Sequence, residues 1–217
     1  MALSKPAPSP ELMSALRTGL PDFLEPGDQL AASLFQRYET HQVFTLGLQQ
    51  FPIAKAADLL TEAKPVGWRF MAAGATSGLA CHVAGTDPKS AGKNPKVMGM
   101  AHSKEIGVML DLLHRLDEHV QRPAQDWPPL EEEYEVRALR IPGLLLEALW
   151  LHCLKDPEKD YVVPFAGFIE SAVDPTAEVK PELMKLYLAK DFFPMLNAAA
   201  ERKLAKHRGL YPKDYPK

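Results

Sequence analysis

Cysteine is scarce. Two residues, Cys81 and Cys153, in a chain of 217 exclude a disulfide scaffold, because secreted domains held by bridges are far denser in cysteine. Both lie in apolar runs, Leu79 to Val83 and Leu149 to Leu154, where a free thiol behaves as a small hydrophobe. The expected compartment is therefore reducing, the cytoplasm. An excess of either charge is missing as well. The formal net charge is −3, with nine Lys/Arg against eight Asp/Glu in residues 1–100 and sixteen against twenty in 101–217. Nucleic-acid binders draw much of their affinity from neutralising phosphates and carry a basic surplus, so nucleic acid is not an expected partner. Long hydrophobic runs are also absent. The longest, around Leu144 to Leu151, is interrupted by Glu147 and falls short of the roughly 20 residues a bilayer span needs. The segment Met1 to Pro10 has no apolar signal core, and no membrane partner is expected.

Recognisable catalytic spacings are wanting too. In the loop from Gly85 to Asn94, six residues separate Gly85 from Gly92, and Asn94 follows Lys93. A phosphate-binding P-loop needs four residues between its glycines and a Ser or Thr after the lysine. Gly74 to Gly78 places Thr76 where a hydrolase nucleophile elbow carries serine. Dinucleotide fingerprints, kinase signatures, zincin spacing, EF-hand loops and zinc knuckles do not occur. The two Cys-His neighbours, Cys81-His82 and His152-Cys153, supply the residue types of a zinc set. Adjacent residues on a strand point to opposite faces, however, so neither pair offers both side chains to one metal. No metal and no cofactor is expected.

What is present is an ordinary globular composition, 46% hydrophobic and 24% charged. Ser9-Pro10-Glu11 makes a helix start, with an N-cap, a proline at the first position and an acid at the positive dipole end. Gly19 can end that helix, and a second is expected after Asp28. Phe44, Leu46 and Leu48 alternate as in a strand, and Ile53 to Ala63 read as a short helix. Val66 to Met71, Leu79 to Val83 and Val97 to Ala101 are further strands. Ser103 caps a helix running to about Gln121, with Ile106, Met109, Leu110, Leu113, Leu116 and Val120 as its apolar stripe. Tyr134 to Ile141 is a strand. Leu144 to His152 suits a helix by composition or one arm of a hairpin by the turn at Asp156 to Asp160. Pro181 can open a helix through Leu188, and Pro194 kinks it or opens another ending near Gly209.

These elements predict an α+β fold: a single domain with an antiparallel or mixed sheet packed by several helices. Residues 1–9 would form a flexible arm, 10–209 the domain and 210–217 an extended tail. The function expected first is a protein-binding module, of the bacterial adaptor, immunity or assembly type, with another protein as partner. Trp127, flanked by prolines and expected partly exposed, and Phe192 are its candidate anchors, since aromatics dominate binding hot spots. The alternative is a small-molecule enzyme using a His/Cys pocket, with His102, Cys81 and His152 as candidate catalytic residues. Cys81 and His152 would form a nucleophile pair if their strands are neighbours. The charged face of the helix after Ser103, with His114 four residues before Glu118, reads as its wet side.

Overall fold

Alternation of apolar residues at period two drives the chain into strands, and the computed structural model describes residues 2–24, 38–53, 55–73, 78–84, 95–122, 126–167 and 181–210. The fold is α+β. Among the described residues there are nine strands, β1 (Ala2–Ser4), β2 (Glu39–Thr45), β3 (Lys64–Ala73), β4 (Gly78–Ala84), β5 (Lys96–Ser103), β6 (Glu133–Ile141), β7 (Leu146–Cys153), β8 (Tyr161–Gly167) and β9 (Tyr187–Leu188). Four helices accompany them, α1 (Pro10–Gly19), α2 (Ala56–Glu62), α3 (Lys104–Gln121) and α4 (Ala189–Leu210). The sheet is mixed: β1 runs parallel to β6, whereas β3–β4, β4–β5, β7–β8 and β8–β9 are antiparallel.

The chain gathers into two compact units, one of residues 1–44 and 65–138, the other of 45–64 and 139–217. Each interleaves stretches distant in sequence, which is why no composition change marks a boundary near the Pro-rich connector.

In the first unit the strand order is β5-β4-β3-β2-β6, with β1 beside β6. Residues 2–4, expected to be a loose arm, pair Ala2 with Glu133 and Ser4 with Glu135. Lys5 then ties the start down through Glu39 at 3.0 Å and Asp117 at 3.2 Å. Helix α1 forms where its sequence signal lies, the Ser9 hydroxyl accepting from the Leu12 N–H at 3.2 Å. Its Leu12 and Leu16, with Leu20 just beyond, cover Phe70, Ala72, Leu79, Cys81, Val83 and Val97 on one face of the sheet. Helix α3 meets the other face, since Arg69 alternates with Phe70 and its guanidinium lies 3.5 Å from the Met109 sulfur. The Ser103 hydroxyl caps α3 at Ile106. The buried stripe of α3 includes Leu112 and His119, while Leu110 and Val120 are only half-buried.

In the second unit the order is β7-β8-β9. Of Leu144 to His152, the part from Leu146 onward is strand, after a turn at Leu144 and Leu145: β7 pairs Leu151 with Tyr161 and Trp150 with Val162 across a hairpin whose turn holds Pro157–Lys159. Six of its eight residues are buried, so both faces are covered. Pro181 does not open a helix. Residues 181–186 are irregular, Met184 takes a left-handed φ of 64° with its N–H on the Pro164 carbonyl, and Tyr187–Leu188 pair with β8. Helix α4 starts at Ala189, whose N–H reaches the Asp160 carbonyl oxygen at 2.8 Å, and runs through Pro194 without ending there. The Asn197 amide bonds both the N–H and the carbonyl of Ile53, fixing the approach to α2. The helix expected after Asp28, the loop 85–94 and, of the tail expected over 210–217, residues 211–217 lie outside the described residues, while Leu210 belongs to α4. No helix among the described residues is long and apolar enough to cross a membrane.

Candidate functional site

The β7–β8 hairpin register decides what His152 meets. With Leu151 opposite Tyr161, the next pair outward is His152 and Asp160. The Asp160 carboxylate is fully buried. It accepts from the Trp150 indole at 2.6 Å, from the Cys153 backbone N–H at 2.8 Å and from His152 Nδ1 at 3.2 Å. A buried carboxylate needs such donors, because leaving it without them would cost several kcal/mol. By bonding Nδ1, Asp160 fixes the His152 ring and leaves Nε2 as its other face, the arrangement that prepares an imidazole for proton transfer. The His152 side chain is 12% exposed. The Trp150 ring stands 5.6 Å from the imidazole, tilted at 57°.

The other candidate residues lie elsewhere. Cys81, in β4, is buried under α1 among Phe70, Leu79 and Val83, and burial pushes its thiol up to about 11. A thiol so placed is a poor nucleophile at neutral pH. The neighbours of β4 are β3 and β5, those of β7 are β6 and β8, so the adjacency that a Cys81–His152 pair required is not met. His102, in β5, pairs through its backbone with Leu79 of β4; its side chain lies outside the described residues. Trp127 is 4% exposed, not partly open. The reason is local. The Arg115 guanidinium lies 4.3 Å over its ring, the His119 ring meets it edge-on at 5.3 Å, and Arg115 also binds Asp126. His119 Nε2 donates to the Pro128 carbonyl at 2.9 Å, drawing the connector onto α3. Phe192 is fully buried between Tyr187 and Phe193. His114 and Glu118 form an exposed i,i+4 pair at 3.4 Å on the wet side of α3.

Two features went unseen in the sequence. His41 in β2 is fully buried. Its Nδ1 meets the Val136 carbonyl at 3.4 Å, and its Nε2 has no hydrogen-bond partner among the described residues. Burial foremost, then Lys5 and Arg69 nearby, hold its pKa down to about 4 against the raising effect of the Val136 carbonyl. Asp160 is the other, and the hairpin register would have found it.

The outer strand β5 carries a different kind of feature. His82 pairs with Gly99 and Val83 with Val97, so Met98 is the extra residue of a bulge. It is 63% exposed. Beside it a groove of about 450 Å³ lies between α1 and the start of β5, lined by Glu11, Ser14, Ala15, Thr18, Lys96 and Val97 among others. Gly19 also lines it, and an added Cβ there would stand 2.9 Å from Val97 Cγ2. Among the described residues no three His, Cys, Asp or Glu side chains gather as a metal-ligand set. No known family model, curated protein or solved structure matches the chain.

Proposed function

We propose that the protein is a binding module for another protein, and that it takes an extended segment of that partner along β5 in the first unit. The observation that carries this is the combination of an outer strand and a groove. Among the described residues β4 is the only strand beside β5, and a strand with one free edge offers backbone donors and acceptors to an incoming chain. The groove against α1 supplies a place for side chains, polar at Glu11, Ser14 and Lys96 and apolar at Ala15 and Val97. Met98, flexible and polarizable, suits a contact that adapts to its partner. Trp127 and Phe192 do not serve as anchors in this scheme, because both are buried.

A photo-crosslinking residue at Met98, with a control at exposed Leu154 in the second unit, tests the proposal in the cells that make the protein. One protein captured from Met98 but not from Leu154, and lost when Gly99 is replaced by Pro, supports it. Equal capture from both positions, or none from Met98, overturns it.

A second reading has one observation in its favour, the orientation of His152 by Asp160. In an enzyme acting on a small molecule His152 Nε2 would move the proton and Asp160 would be its positioning residue. Imidazole nitrogen NMR against a panel of small esters and phosphates, with His152→Asn as the blank, checks it. A silent Nε2 throughout the panel removes this reading.

A further inference from the structure

Two separate contacts of the first unit meet at Val136 of β6. The parallel register sets Ala2, Leu3 and Ser4 against Glu133, Tyr134 and Glu135, so the next position along is Lys5 beside Val136. From β2 the His41 ring reaches the same residue, Nδ1 donating to the Val136 carbonyl at 3.4 Å. A carbonyl only accepts, so the proton of the neutral ring sits on Nδ1. Nε2 is then the bare nitrogen, in a fully buried side chain and with no hydrogen-bond partner among the described residues. A second proton would enter at Nε2 and create a buried donor without an acceptor, which is costly.

The charges around the ring oppose that proton as well. Lys5 follows β1 and Arg69 lies on β3, and both act against a charged His41. The carboxylates of the adjoining elements are engaged elsewhere. Glu39, two residues before His41 and on the same face of β2, holds the Lys5 ammonium at 3.0 Å, and Asp117 on α3 holds it at 3.2 Å. Burial lowers the Lys5 pKa, but these two carboxylates outweigh it and raise the group above its ordinary value, so it stays a cation. On β6, Glu135 and Arg137 pair with each other. On α3, His119 is turned to Trp127 and Pro128.

The weakest-held part of this arrangement is β1. It has three residues, and Pro6 and Pro8 beyond it carry no N–H with which to extend the ladder. Ser4 is exposed, and Leu3 and Lys5 are half-buried. Helix α1 has its own cap at Ser9, so residues 2–5 can leave without unwinding it. We infer that residues 2–5 form an acid-sensitive strap: protonation of His41 expels them from β6 while the rest of the first unit stays folded. The sign follows from the two states of His41. With the strap closed its pKa is about 4, held down by burial first and then by Lys5 and Arg69, against the Val136 carbonyl. With the strap gone, Lys5 leaves, water reaches Nε2 and the ring returns toward its ordinary 6.5. The open state therefore takes the proton first, and opening grows as pH falls from 6.5 to 4. The strap does not depend on what β5 binds.

Backbone amide exchange of the full chain is followed by NMR from pH 7 to pH 4.5, corrected for the pH dependence of the chemical step. Between pH 7 and pH 5 the amides of Leu3, Ser4 and Lys5 should lose protection about tenfold or more. They should stay less protected than the β7–β8 ladder at every pH, the mark of an opening smaller than unfolding. His41→Gln, which cannot take the proton, should hold the pH 5 protection at β1 near its pH 7 value. His41→Leu, which suits an apolar site, repeats the test should the first variant not fold. Unchanged protection at β1 in the native chain overturns the proposal, as does protection there equal to that of the β7–β8 ladder. An acid loss that persists in the His41 variants also overturns it, and assigns the release to Glu39 and Asp117.

Discussion

The Asp160 carboxylate and the Trp150 indole nitrogen meet at 2.6 Å inside the β7–β8 hairpin, and neither residue is exposed. The same carboxylate holds the Cys153 N–H and His152 Nδ1. Removing it strands buried donors, so Asp160→Ala should lower stability by about 3 kcal/mol or more. Trp150→Phe, which keeps a ring but removes one donor, should cost about 2 kcal/mol. Urea unfolding of both variants checks the order. A Trp150→Phe loss equal to or larger than that of Asp160→Ala would show that ring packing, not the carboxylate, is what matters there.

His41 makes stability depend on pH. Its folded pKa, about 4 because of burial, lies below the ordinary value of 6.5. The unfolded chain therefore binds the proton first as pH falls. The stability His41 contributes is complete above pH 6.5 and is lost between 6.5 and 4. A shift of this size corresponds to about 3 kcal/mol. Urea midpoints at pH 7 and near pH 4.5 should differ markedly in the native protein and less in His41→Gln. Parallel curves for the two would refute the assignment.

Leu145 occupies a left-handed conformation, φ 53°, with its side chain 55% exposed. The left-handed region costs an ordinary residue about 1 kcal/mol or more, and little burial is at stake. Leu145→Asn or Leu145→Gly should raise stability by about 1 kcal/mol, visible as a higher melting temperature. Gly167 is its opposite: φ is 136°, and an added Cβ would run into the Leu145 carbonyl oxygen. Gly167→Ala should destabilise by about 2 kcal/mol or more.

Neither thiol should react in the native state. Cys81 and Cys153 are fully buried, and burial raises Cys81 to about 11. A chromogenic disulfide at pH 8 should label nothing until denaturant is added, and then two thiols per chain. Fast native labelling of Cys81 would revive it as a nucleophile.

Signals confined to a few neighbouring residues were legible. The starts of α1 and α3 follow from Ser9-Pro10-Glu11 and Ser103, because an N-cap acts on N–H groups within three residues. Strand β3 followed from alternation, since α1 and α3 cover its two faces through distinct side chains, Phe70 and Arg69. Where distant contacts decide, the sequence was ambiguous or misleading. Strand β7 is covered on both faces, so its Leu-rich run lost the alternation that marks a strand. Pro181 has the chemistry of a helix start, yet pairing with β8 and the Met184 bond to Pro164 keep its segment extended. Trp127 between prolines suggested exposure, but Arg115 and His119 on α3 hold it inside. Of the candidate site, His152 was visible as a residue type; its partner Asp160 becomes visible only once the hairpin is chosen over the helix.

The bonds to Asp160 join residues seven to ten apart in sequence, whereas the Asn197 clamp on Ile53 joins residues 144 apart. Closing the longer loop carries an extra entropic penalty of about 2 kcal/mol. The second unit thus has an order of assembly written into its polar contacts. The hairpin can close its own interior early, and the Asn197 clamp forms after α4 has docked. Substitutions at Asp160 should accordingly slow folding, and Asn197→Ala should act mainly by speeding unfolding.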